Sequence, residues 1–292
     1  MQMLAQALYS GALFGSIYAL MGVGITLIFS SLKMLNLAHG ALFMIAGYVA
    51  WAILGSTGLP VWLAFALAVL VTGILGAGLY SGIIRPSLGK PGWNSATLVS
   101  TIGVATVLEN SVLVVFGPQA RQLPALVEGS TRVGEVLIRY EALVVMAVSI
   151  VLLASLHFFL TRTRYGLAVR AVSQERDAAQ LMSVPLHQTF VSVFFISAAL
   201  AGAAGVLLGT FFFLTPQSGF NLMIRGLAVA IFGGLGSVKG TLWAALLIGF
   251  VESFVTVYWG ATWALPGIFL FMILVLVLRP NGLFGLGEAT RW

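Results

Sequence analysis

The sequence predicts an all-α, polytopic membrane protein with eight to nine apolar helical segments, one of them broken or re-entrant if it does not cross outright. Three observations carry that prediction. Of the 292 residues, 60% are hydrophobic and only 8% charged, against roughly 25% charged in a soluble domain, so the chain cannot cover a water-facing surface. The apolar residues gather in runs of about 20, the length that crosses a bilayer as helix. The 34 glycines suit close helix–helix approach in lipid. The chain reads as a single transmembrane domain over 1–292.

The elements follow in order. A first span covers 7–29; the stretch before it lacks a basic n-region and reads as part of a retained span rather than a cleaved signal. Spans at 37–54, 61–83, 97–116, 141–160 and 188–213 follow. The segment 222–235 is short, Gly-containing and carries Arg225; it reads as a tilted span, a broken helix or a re-entrant stretch. Spans at 241–258 and 263–278 complete the set. The pairs Gly11/Gly15, Gly78/Gly82 and Gly236/Gly240 have the spacing of small-residue helix packing. Between the fourth and fifth spans, 117–140 has no helical period and holds Gly117, Pro118, Pro124, Gly129 and Gly134. It reads as an external loop with a short hairpin, either a docking surface or a plain connector.

Basic residues set the orientation, because Lys and Arg concentrate in cytoplasmic loops. If 222–235 crosses, the N-terminus lies outside and the C-terminus inside. Ten of the 14 Lys and Arg residues then fall inside, among them Lys33, Arg85, Lys90, Lys239, Arg279 and Arg291. The net charge of +6 is thereby a topology signal and gives no reason to expect nucleic acid.

Several chemistries are excluded. Cysteine is absent, so there are no disulfides and no thiol nucleophile. The only Gly-Lys, Gly89-Lys90, precedes Pro91 and lacks the spacing of a phosphate-binding loop. His39, His157 and His187 form no metal-ligating motif, and no G-x-S-x-G elbow occurs. The sequence implies no enzyme, no metal and no cofactor.

The charge that does exist is crowded. Arg162, Arg164, Arg170, Glu175, Arg176 and Asp177 fall within 16 positions, in a cytoplasmic loop over 162–187. Residues 166–184 suit one or two short interfacial helices, with Ser173 capping the second and Glu175 and Asp177 at the positive end of its dipole. Ala178, Leu181 and Met182 share one face, and Pro185 stops the helix. A basic loop that fixes topology explains the arginines alone; a helix with an apolar face suits a surface for a cytoplasmic partner.

Four polar residues sit where lipid-facing side chains would be apolar. Asn36 and His39, in LNLAHG between the first two spans, either line the transport path or cap the second helix and bond to backbone. Glu109 and Glu252 lie within apolar runs, where ionisable groups default to functional readings. They line a path, bond across helix interfaces with Asn110 and Ser253, or couple transport to a proton or sodium gradient. Arg225 either snorkels or pairs with an acid. Gly40-Ala41-Leu42-Phe43 matches Gly240-Thr241-Leu242-Trp243 in type, as a short internal repeat would.

Asp177-Ala178-Ala179-Gln180-Leu181-Met182-Ser183 resembles the E-A-A-x-x-x-G signature of ABC-importer permeases, with Ser183 where the signature has Gly. Residues 22–50, 165–184, 231–253 and 278–285 together resemble the permeases of branched-chain amino acid ABC importers, of the shorter LivH type. That resemblance implies ATPase coupling through the island, with Gly166, Arg170, Glu175, Arg176, Asp177, Ala178, Ala179 and Ser183 as its residues. It implies a second, LivM-type permease, two cytoplasmic ATPase subunits, a periplasmic substrate-binding protein and an amino-acid substrate. The expected location is the bacterial cytoplasmic (inner) membrane, surrounded by lipid. The rival expectation is a self-contained secondary transporter coupled through Glu109 or Glu252.

Overall fold

The computed structural model describes residues 2–133, 136–280 and 282–284. Gly134, Arg291 and part of the stretch 278–285 lie outside the described residues. The helices are α1 (Gln2–Leu32), α2 (His39–Thr57), α3 (Val61–Ser87) and α4 (Trp93–Phe116). After the antiparallel hairpin β1 (Ser130–Val133) and β2 (Val136–Arg139) come α5 (Tyr140–Arg162), α6 (Arg164–Gln174) and α7 (Arg176–Leu181). The chain continues as α8 (Leu186–Gly209), α9 (Ser218–Gly233), α10 (Val238–Trp259) and α11 (Ala264–Leu278). Among the described residues, eight helical segments are long and apolar enough to cross a membrane, the last running from Ala261 to Leu278 with its opening turn included, and Ser218–Gly233 (α9) is a shorter apolar helix. The protein is thus an all-α polytopic membrane protein.

In lipid the arrangement follows from small residues that let helices approach closely rather than from hydropathy: α5 and α11, the most apolar spans, are largely exposed. α1 and α8 are the most buried, while α4 and α11 are mostly exposed to the surroundings. α1 packs most closely on α10. A side chain at Gly11 or Gly15 would strike Phe250 or Leu246, and one at Gly249 would strike the backbone of Gly15 and Gly11. Gly11 and Gly15 therefore act as the packing pair that their spacing predicted. Gly78 and Gly82 do not: a side chain added at either would meet nothing within 4 Å among the described residues. Gly236 is a turn residue at φ +96°, and Gly240 packs on the Gly233 carbonyl.

Two helices begin inside the molecule rather than at its rim. His39, the first residue of α2, faces Gly24 of α1. At 1.5 Å rise per residue this is about 12 Å short of the end of α1 at Leu32. At the other break, α8 stops at Gly209, and 210–217 folds inward as irregular backbone. Leu214 exchanges backbone hydrogen bonds with Arg121 (2.7 and 2.9 Å) and accepts from the Tyr48 hydroxyl (3.2 Å). Irregular backbone is tolerated at membrane depth only when it is buried in protein and satisfied, and Leu214 is 2% exposed.

The segment expected at 222–235 begins at this second break. With 16 residues, α9 is about 24 Å long, short of a ~30 Å core. Its start meets the start of α2, where Gly40 lies on the Gly219 carbonyl. Its end leads to α10, whose Thr241 hydroxyl bonds that of Thr26 in α1 (2.7 Å). The chain therefore returns from the end of α8 to the start of α10 as an irregular stretch followed by a short helix. Beyond α11, Leu283 and Phe284 donate to the Phe232 and Gly233 carbonyls (2.9 and 3.2 Å), which puts the residues after α11 on the same side as the end of α1. The linker 117–140 contains the expected hairpin, but its first half is built into the fold: Leu123 and Leu126 are buried, and Arg121 lies over the Trp51 ring.

Candidate functional site

The charged island forms two short helices. Thr163 caps α6, its hydroxyl oxygen accepting from Gly166 N–H (3.0 Å). Gly166 is buried, and a side chain there would strike the Phe159 carbonyl and Leu160, so this glycine lets α6 fold back tightly onto α5. Ser173 does not cap α7. Its hydroxyl donates to the Arg170 carbonyl (2.8 Å), satisfying itself within α6, and Glu175 occupies the cap position without a side-chain bond. Asp177 lies in the first turn of α7, where the helix dipole favours a carboxylate.

Within α7 the two faces differ sharply. Ala179 is 5% exposed, whereas Leu181 and Met182 are 86% and 80% exposed. Ala178, Arg170, Glu175, Asp177 and Ser183 are exposed as well. Ala179 and Gly166 thus hold the island together, and the open surface consists of Ala178, Leu181 and Met182 with acids beside them. Arg176 turns inward: its guanidinium lies over the Phe190 ring at 5.5 Å. Phe190 in turn contacts Tyr80 (5.8 Å between centroids), which also stacks on His187 (5.6 Å). Tyr80 opens a π-helical turn, Tyr80–Ile84, inside α3. Ser183 adopts φ +60°, the left-handed conformation that favours glycine. Ser183 thus holds a backbone conformation that suits glycine, the residue that the signature has at this position.

The polar residues of the spans occupy three places. Asn36 is 3% exposed, and its side-chain oxygen accepts from Ala38 N–H (3.1 Å), a local turn rather than a bond to the helix end. His39 is fully buried; the Met21 carbonyl is the backbone group its ring approaches, but neither ring nitrogen forms a well-formed hydrogen bond among the described residues. Glu109 reaches the start of α9, at Gly219 and Phe220, where a helix N-terminus favours a carboxylate. Asn110 takes no part, since its amide donates to the Thr106 carbonyl of its own helix (2.8 Å).

Glu252 is the most engaged. Its carboxylate accepts from the Tyr18 hydroxyl (2.5 Å) and from Arg225 Nε (3.2 Å). Arg225 thus pairs with an acid instead of snorkelling. Ser253 does not assist, its hydroxyl lacking a partner among the described residues. Tyr18 carries no spacing or motif that marks it in the sequence, and only the packing of α1 against α10 reveals it. Glu141 is likewise unmarked, buried at the start of α5 and bonded to Arg139 Nη2 at 2.5 Å. The structure does not bring the four polar candidates into one site. Asn36, His39 and Glu109 gather around the starts of α2 and α9, while Glu252 lies with Arg225 and Tyr18 on the α1–α10 side.

The family model described as the permease component of the branched-chain amino acid transport system matches residues 7–278. The high-affinity branched-chain amino acid transport system permease protein BraD of Pseudomonas aeruginosa is 31% identical, covering 98% of this chain and 97% of its own length. The corresponding LivH protein of Escherichia coli K12 is 30% identical over 98% of this chain and 97% of its own. A probable LivH permease of Methanocaldococcus jannaschii is 26% identical over 94% and 90%. Among solved structures, PsaBC from Streptococcus pneumoniae in complex with Fab has a similar fold, with TM-score 0.52 and 14% identity over 96% of this chain and 93% of that one.

Proposed function

The chain belongs to the permease family of branched-chain amino acid transport systems, and from that premise we propose that it carries leucine, isoleucine, valine or closely related amino acids across the cytoplasmic membrane. It is a multi-pass permease subunit of an ABC importer and not an enzyme; ATPase and substrate-binding subunits complete such a system. The composition in our reading is a second, LivM-type permease, two cytoplasmic ATPases and a periplasmic binding protein. The island at 162–187 faces the cytoplasm, 117–140 faces outside, and ATP binding drives alternating access.

One observation carries the coupling role. The face of Ala178, Leu181 and Met182 is open, while the same short helix is tied through Arg176 to Phe190 of α8 and Tyr80 of α3. A partner seated on that face would push on two membrane helices at once. Asn36, His39 and Glu109, around the starts of α2 and α9, belong to the moving part of the path. Glu109 and Glu252, on which gradient coupling would depend, are both held by structural partners: a helix terminus and an ion pair.

The test is reconstitution of the chain in liposomes with the second permease, both ATPases and the binding protein. ATP inside, with loaded binding protein outside, should drive uptake of branched-chain amino acids. Uptake by this chain alone, driven by a proton or sodium gradient, would sink the reading.

A further inference from the structure

The ion pair of Arg225 and Glu252 borders a cavity of about 190 Å³. We propose that this cavity binds a single zwitterionic, apolar amino acid in transit, its carboxylate set against Arg225 and its ammonium against Glu252. The inference rests on the transport reading above and specifies where within the chain the substrate is recognised.

Depth is the first argument. Tyr9 marks one rim, its hydroxyl bonded to the Arg139 backbone beside the hairpin (3.1 and 3.4 Å). Tyr18 lies nine residues further along α1, about 14 Å at 1.5 Å per residue, so the pair sits near mid-depth of a ~30 Å core. Charge balance is the second. Both ions retain an edge toward the cavity, with side-chain exposures of 19% for Arg225 and 9% for Glu252. A buried pair tolerates a neutral dipolar ligand, which adds one charge of each sign. A lone anion or cation would leave one charge uncompensated, a cost of several kcal/mol.

Shape is the third argument. Phe14, Leu208, Phe212 and Leu222 give the cavity an apolar lining beside the charges, with Asn221, itself exposed, among its polar members. The volume equals about six waters at ~30 Å³ each, enough for one small amino acid and too little for a sugar chain or peptide. Removing the pair's polar atoms need not unfold the protein, because replacing a whole buried ionic group by apolar residues of similar size is often neutral or stabilising.

The test uses the complete transporter, in proteoliposomes for uptake and in nanodiscs for binding. In the triple variant Tyr18→Phe, Arg225→Met, Glu252→Leu, assembly and ATPase docking are expected to persist. The KM for leucine uptake should rise at least tenfold, and binding of radiolabelled leucine without binding protein should vanish. Leucine's decarboxylated amine and its keto acid should fail to compete in the wild type. A second variant, Leu222→Phe, narrows the cavity and should shift preference from leucine toward valine or alanine; it decides the matter if the triple variant does not assemble. Discs made with and without phosphatidylethanolamine separate a free amino acid from a zwitterionic headgroup. Unchanged KM in the triple variant, unchanged preference in Leu222→Phe, or occupancy by headgroup alone overturns the assignment. If the wild-type transporter takes up no branched-chain amino acid, the transport reading itself fails, a distinct result.

Discussion

Leu181→Ala combined with Met182→Ala should weaken ATPase docking without weakening the permease. The two side chains are 86% and 80% exposed, so nearly all their apolar surface is available to a partner. Full burial of such a side chain stabilises by about 1.5–3 kcal/mol, and fixing its rotamers on binding costs about 0.5–1.5 kcal/mol. The net is about 1–1.5 kcal/mol each, or about 2–3 kcal/mol for the pair. At 1.4 kcal/mol per tenfold the affinity should fall roughly 30- to 150-fold. Exposed substitutions of this kind change folding stability by about 0.5 kcal/mol or less, so the melting temperature should hold. The assay is a titration of the detergent-solubilised permease with purified ATPase, read by fluorescence anisotropy, beside a thermal melt of each variant. Wild-type affinity in the double variant would refute the docking face. Ala179→Arg is the wrong probe, because Ala179 is buried and a long cation there would disrupt the island itself.

Two further outcomes follow from the geometry. Ser183→Gly should tighten the turn after α7: a left-handed conformation costs a non-Gly residue about 1–2 kcal/mol, while Gly gives back about 0.5–1 kcal/mol in chain entropy. Amide exchange at 182–185 should slow a few-fold, and faster exchange would show that Ser183 contributes a contact absent from this account. Glu109→Gln removes a carboxylate from the start of α9, a loss of about 0.3–1 kcal/mol. ATP-driven uptake in proteoliposomes should stay within threefold of wild type and should ignore a protonophore; protonophore-sensitive uptake that the variant abolishes would restore a coupling role.

The spans were legible because hydropathy needs only a run of apolar residues, and even the shortness of 222–235 could be read. Hydropathy fails where irregular backbone is itself apolar. Phe211, Phe212 and Phe213 extended the sixth span to 213, whereas α8 ends at Gly209, since buried hydrogen bonds to Arg121 and Leu123 replace the helical ones. The depth of His39 was hidden for the same reason. Spacing also could not separate Gly11/Gly15 from Gly78/Gly82: one pair faces a neighbouring helix and the other faces open space. For the island, charge and periodicity located the two helices. The inward turn of Ala179 and Arg176 depended on packing against α6 and α8, which local sequence does not encode. Tyr18 entered only through packing between residues 234 positions apart.

The contacts of α8 give the proposed coupling a physical route. Its N-terminal part receives Arg176 on Phe190. About two turns further in, the Ser197 hydroxyl donates to the Gly24 carbonyl of α1, beside His39, and Gly205 lies on the Phe43 carbonyl of α2. The helix that touches the island therefore also touches both sides of the break where α2 begins. Because Gly40 rests on Gly219, a displacement of α2 cannot leave α9 in place: close-packed interfaces respond to small shifts by moving between discrete arrangements. Arg225 is carried on α9 and Glu252 on α10, so a shift of α9 would stretch or shorten their 3.2 Å contact. On this route the ATP-driven movement would reach the ion pair last, loosening its hold on a bound zwitterion as the path opens.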